Sequence, residues 1–165
     1  MTHSTLTESR LLSFEVEGVL FALPISEILE VSESTPISSI PTVERWCGGV
    51  MNHRGDALPV FSLRVLVGSD VNFDASASHG TALAGKHLLV LSRSEDHSAE
   101  LGLPVDSVRE LVNTPAESEK CEGIVTERFF LEQREVAVID SRQLMARAKT
   151  VIKGGSTAVL PATGG

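Results

Sequence analysis

Along residues 11–24, LLSFEVEGVLFALP, Leu12, Phe14 and Val16 alternate with Ser13, Glu15 and Glu17. A period of two puts alternate side chains on one face, so the stretch predicts a half-buried strand. Glu17-Gly18 predicts a tight turn into the next apolar run. PISEILEV (24–31) fits a strand or one helical turn, and periodicity does not separate them. TPISSIPTVER (35–45), with Pro36 and Pro41, predicts an irregular crossover. GGVMN and ALPVF flank a polar knot, Asn52-His53-Arg54-Gly55-Asp56, and predict a hairpin. HLLVLSR, AELGLPVDSV, CEGIVTE and EVAVID then follow as strands. SRQLMARAKTV (141–151) is the clear helix: Leu144, Ala148 and Val151 share one face, and Asp140 stands at the N-cap. Many short strands at regular spacing predict an all-β barrel or sandwich.

Three blocks recur in order. LPISEILEV (23–31) matches LPVDSVREL (103–111) at an offset of 80, CGGV (47–50) matches CEGI (121–124) at 74, and VFSLRVL (60–66) matches VIDSRQL (138–144) at 78. Collinear matches with nearly constant offsets indicate two copies of one small β unit. Residues 69–85 keep neither period and read as the linker between copies. A unit of about 60 residues buries too little surface to be secure alone. Two packed together share a larger core, and an uncovered part of their seam offers a docking groove.

Composition narrows the function. Of 165 residues, 42% are hydrophobic, enough for a core, and the formal charge of −8 argues against a nucleic-acid backbone or an anionic membrane as partner. No stretch reaches bilayer-spanning length, and MTHSTLTESR lacks the basic and apolar regions of a secretory signal. Cys47 and Cys121 are too few and too distant for a disulfide scaffold or zinc site, and read as reduced cytosolic thiols. They stand at matching places in two blocks of the repeat, so packing accounts for them better than reactivity does. G-x-S-x-G, H-E-x-x-H, G-x-x-x-x-G-K-[ST] and C-x-x-C are all missing, and the five histidines are scattered. The expectation is a chain without catalysis, cofactor or metal.

The knot is the one special feature. A turn at Arg54-Gly55 needs the glycine and lifts the arginine into solvent. A guanidinium on a rigid turn loses little entropy on binding and can grip a carboxylate with two hydrogen bonds. A solvated arginine beside a structural glycine is the simpler alternative. The second copy has TERFFLEQRE at this place, with no Arg-Gly tip, which favours a special role for the first.

Together, EILEV (27–31), GGVMNHRGDALPVFSLR (48–64), LGLPVDSVREL (101–111) and EVAVIDSRQL (135–144) resemble the CheW-like family of bacterial chemotaxis coupling proteins over residues 10–150. The resemblance implies two intertwined five-stranded SH3-like β-barrels with a short C-terminal helix. It divides the domain (9–152) into subdomain 1 (roughly 18–68), the linker (69–85) and subdomain 2 (roughly 86–150), the first strand being open to sharing; the polar start (1–8) and the glycine-rich end (153–165) read as flexible tails. It implies a cytoplasmic, non-catalytic adaptor at membrane-associated receptor clusters. Its partners would be the cytoplasmic tip of a methyl-accepting chemoreceptor and the regulatory domain of a sensor histidine kinase. Ile28, Glu30, Gly49, Arg54 and Gly102 fall at functionally sensitive family positions, with His53 beside Arg54. The pattern departs from the family at His53, where an apolar residue is usual, at Ser62, where aspartate is usual, and at Trp46-Cys47. These departures leave two alternatives: an adaptor that keeps receptors but has lost the kinase, and, from another class, a small-ligand-binding β-barrel.

Overall fold

A computed structural model describes residues 10–33, 37–38, 48–71, 73, 86–92 and 97–154. The tails before residue 10 and after 154, the linker beyond residue 73, most of the 35–45 crossover, and Trp46-Cys47 lie outside the described residues.

Eleven strands and two helices are described: β1 (Arg10–Val16), β2 (Val19–Pro24), β3 (Ile28–Glu33), β4 (Gly48–His53), β5 (Asp56–Phe61), α1 (Leu63–Val67), β6 (His87–Leu91), β7 (Leu101–Val105), β8 (Ser107–Asn113), β9 (Glu119–Lys120), β10 (Val125–Leu131), β11 (Arg134–Ile139) and α2 (Ser141–Gly154). The ambiguous PISEILEV is both things: a 3-10 turn at Ile25–Glu27, then β3. AELGLPVDSV is two strands broken at Asp106, and CEGIVTE enters a strand only at Val125. Helix α1 leaves no periodic signal in the sequence, because five residues are too few to show a 3.6 period. Helix α2 runs past the expected end into Lys153–Gly154, and its start is capped as expected: the Arg142 backbone N–H donates to Asp140 Oδ1 at 2.8 Å.

One sheet has the order β8-β1-β2-β11-β10-β9 and the other β3-β6-β7-β5-β4. Exchange the copies, so that β1, β2, β3, β4 and β5 become β6, β7, β8, β10 and β11, and each five-strand order becomes the other. The register obeys the same exchange. Val138 pairs with Ala22 in the parallel β11–β2 ladder, and Val60 pairs with Gly102 in the parallel β5–β7 ladder. Even the irregularities correspond: β1–β8 shifts register between Leu12 and Phe14, and β3–β6 between Ile28 and Glu30. The repeat is therefore structural.

Sheet membership runs across the linker. Strands β6 and β7 complete the sheet of β3–β5, while β1 and β2 join β8–β11. The first hairpin of each copy is exchanged into the other, so neither 18–68 nor 86–150 is a sheet by itself. The exchange happens in the repeated segments 23–31 and 103–111, where the chain crosses from one sheet to the other. The CGGV–CEGI block does not survive as a structural match. The β4–β5 and β10–β11 hairpins correspond at an offset of 78, which puts Gly49 against Glu127 rather than Gly123.

Each sheet curls around its own small core, Leu11, Leu20, Ala22, Phe129, Val136 and Val138 in one, Met51, Leu58, Val60, Leu88 and Val90 in the other. A larger core joins them and includes Phe14, Phe21, Phe61, Leu89, Leu103 and Ile139, with α1 and α2 packed on it. This is the all-β architecture of two SH3-like barrels with a C-terminal helix.

Three hairpins turn through two residues of positive φ: Glu17-Gly18 (49°, 84°), Arg54-Gly55 (53°, 91°) and Glu132-Gln133 (50°, 71°). Left-handed φ at both central positions marks the type I′ turn, whose twist matches that of the strands. Glycine occupies the second position in two of the three. Gln133 bears the strain that glycine avoids, so Gln133→Gly is expected to stabilise the protein by about 1 kcal/mol, read as a higher urea midpoint with unchanged slope.

Candidate functional site: the Glu30–His53–Arg54 tip

Of the six singled-out residues, the fold brings three together. Glu30 on β3 faces the tip of the β4–β5 hairpin. Arg54 Nη2 donates to Glu30 Oε2 at 2.7 Å, and His53 Nε2 lies 3.2 Å from the same oxygen. The burial is graded: the side chains of His53, Glu30 and Arg54 are 11%, 25% and 75% exposed. The tip is locked from within as well, since the Gly55 backbone N–H donates to Asn52 Oδ1 at 2.9 Å. Arg54 is thus lifted into solvent as expected, yet it is not free. One edge of its guanidinium is engaged and the rest is presented outward. An ion pair this exposed adds little stability; its consequence is orientation.

The other three residues act inside the fold. Ile28 begins β3 and is partly buried against the shared core. Gly49 and Gly102 flank the buried Val60 from either side, Gly49 across β4–β5 and Gly102 across β5–β7. A Cβ on Gly49 would stand 2.5 Å from both the Ser38 carbonyl oxygen and Ile37 Cγ2, so only glycine admits the Ser38–Val50 bridge beside β4. A Cβ on Gly102 would meet Val60, Leu88 and Leu58 at 3.2–3.4 Å.

Ser62, one of the departures, stands before α1, where its backbone carbonyl accepts from Val65 and Leu66. Its counterpart is Asp140, whose carbonyl accepts from Leu144 in the same way. Asp106 closes the β1–β2 turn, accepting from the Glu17 backbone N–H at 2.6 Å, while Arg64 pairs with Glu17.

The counterpart of the tip has other chemistry. Phe130, Leu131 and Glu132 replace Asn52, His53 and Arg54, and Glu110 replaces Glu30. Two carboxylates stand where the first barrel has an ion pair, and Phe130 is 69% exposed. Val31 and Leu111, also matched by the repeat, are exposed on the edge strands β3 and β8. These apolar side chains went unremarked in the sequence, although the alignment of EILEV with SVREL already set Val31 against Leu111.

Two open clefts lie on the barrel carrying β9–β11. One, about 610 Å³, is lined by Pro24, Glu27, Thr114, Pro115, Glu127 and Asp140 among others. The second, about 520 Å³, is lined by Val19, Asp70, Val71, Arg128 and Arg134. In the first, burial alone would raise the Glu127 carboxyl, but hydrogen bonds from Ser118 and Lys120, with the Lys120 charge, hold it below its usual range. Both barrel interiors are filled by apolar side chains, with Phe129 in one and Met51 in the other. Among the described residues no group of three or more His, Cys, Asp or Glu is placed to hold a metal, and no helix is long and apolar enough to cross a membrane.

The fold is thus two strand-exchanged barrels with an oriented arginine at one hairpin tip. Residues 10–118 match the family model of the CheW-like domain. The chain belongs to that family. It is 29% identical over 103 residues to the chemotaxis protein CheW of Thermotoga maritima, covering 62% of this chain and 60% of that protein's length. The crystal structure of the scaffolding protein TtCheW from Thermoanaerobacter tengcongensis superposes with a TM-score of 0.60 at 19% identity, over 81% of this chain and 90% of that one. That likeness establishes the fold.

Proposed function

We propose that the protein is a cytoplasmic adaptor of bacterial chemosensory signalling, linking the cytoplasmic tip of methyl-accepting chemoreceptors to a sensor histidine kinase without chemistry of its own. The observation that carries this reading is the Arg54 guanidinium, held by Glu30 on a locked type I′ turn in a chain of the CheW-like family. A preoriented arginine pays less entropy on docking and is a favoured hot-spot residue. The work is done where membrane-bound receptors cluster.

The second reading, an adaptor that holds receptors but not the kinase, is favoured by the departure at His53, which sits in the tip itself. Ser62 lends it less support, since its place is the start of α1.

The test is titration of the full chain with a chemoreceptor signalling fragment and, separately, with the kinase regulatory domain. Arg54→Glu reverses the charge at an exposed tip and sets it against Glu30. It is expected to weaken one of the two contacts by about tenfold or more while leaving the fold intact. Equal affinities for wild type and variant with both partners would remove Arg54 from the contact.

A further inference from the structure

We infer that His53 is a positioning residue for Arg54: it donates its Nε2–H to Glu30 and so fixes the carboxylate that orients the guanidinium. The inference rests on the reading of Arg54 as a contact residue. A carboxylate accepts hydrogen bonds and the imidazole Nε2–H donates them, so at 3.2 Å from Glu30 Oε2 the ring is the donor. Arg54 Nη2 donates to that same oxygen at 2.7 Å. One oxygen therefore takes two donors from different depths, a ring only 11% exposed below and a guanidinium 75% exposed above. Glu30 held by Arg54 alone would share the mobility of an exposed side chain. Anchored from beneath by a nearly buried ring, it gives Arg54 a fixed point.

The molecule carries its own control. At the symmetry-related place on the β10–β11 hairpin stands Leu131, partly buried against the core of its barrel. An aliphatic side chain thus fits this position of the fold, and neither the hairpin nor the barrel requires a ring there. Glu132 and Glu110, the counterparts of Arg54 and Glu30, are both acidic and have nothing to orient. The histidine stands in the barrel where there is an arginine to place.

The test compares His53→Leu, which keeps an apolar body and removes the donor, with His53→Gln, whose amide N–H can still reach a carboxylate. In the full chain alone, 15N relaxation of the Arg54 Nε–Hε group reads its order. In the wild type it is ordered; in His53→Leu it becomes mobile while thermal unfolding stays close to wild type; in His53→Gln most of the order returns. Affinity for a chemoreceptor signalling fragment or the kinase regulatory domain, whichever Arg54→Glu weakens, falls about fivefold in His53→Leu and recovers to within about twofold in His53→Gln. An Arg54 group equally ordered in His53→Leu overturns the inference, and so does a failure of His53→Gln to restore order. If Arg54 loosens in His53→Leu and returns in His53→Gln while neither change nor Arg54→Glu alters affinity for either partner, the positioning role stands and the contact reading falls.

Discussion

Phe21→Ala is expected to cost about 3–5 kcal/mol of folding stability. Phe21 is fully buried in β2, stacks on Phe14 at 5.9 Å and meets Phe73 at 6.0 Å. Its strand pairs antiparallel with β1 from its own copy and parallel with β11 from the other. The ring lies in the core that joins the two barrels, among side chains from both sheets. Removing it opens a cavity that the close-packed surroundings fill only in part, so the lost transfer energy and the cavity add. Because each barrel contains strands of both copies, neither barrel should survive alone. Urea denaturation followed by far-UV circular dichroism and by the NMR signals of residues in each sheet should show one coincident transition at a lower midpoint. Two separated transitions would mean that the barrels fold independently, against the exchange of strands.

Gly49→Val is the second large change, expected to destabilise by about 1–3 kcal/mol through overpacking. The obstacle is backbone: the Ser38 carbonyl oxygen sits 2.5 Å from where the Cβ would be. A flexible side chain can swing away, but a carbonyl that accepts from the Val50 N–H at 2.8 Å moves only by breaking that bond. The same denaturation experiment on Gly102→Ala should show a smaller loss, since there the nearest atoms are the side-chain tips of Val60, Leu88 and Leu58 at 3.2–3.4 Å. A reversed order would contradict the close approach at β4. Both glycines lie inside the barrel, so their replacement acts by shifting strands.

Much of this fold can be read from local pattern. Period-two runs locate the hairpins, Glu17-Gly18 and Arg54-Gly55 mark their turns, Asp140 marks the start of α2, and the collinear blocks announce a duplication. Sheet membership is another matter. Beyond its hairpin with β1, which strand takes the other edge of β2 is decided by contacts more than a hundred residues apart, such as Leu20 with Val136. Cutting the chain at the linker therefore gives two sequence halves but not two barrels. The site divides in the same way. Arg54 is conspicuous at a turn, and its glycine signals the geometry. Glu30 draws notice through family resemblance, but its bond to Arg54 spans 24 residues and two strands that are not adjacent in the sheet. His53 reads as a departure in the sequence, and only the 3.2 Å contact gives it a partner.

In the adaptor role proposed above, one copy of this chain holds two different proteins together. Sedimentation velocity on a mixture of the full chain, a chemoreceptor signalling fragment and the kinase regulatory domain tests it most directly. An adaptor gives a single faster boundary containing all three, absent when the chain is left out. A boundary holding the chain and receptor fragment, with the kinase domain sedimenting freely at every concentration, would contradict it.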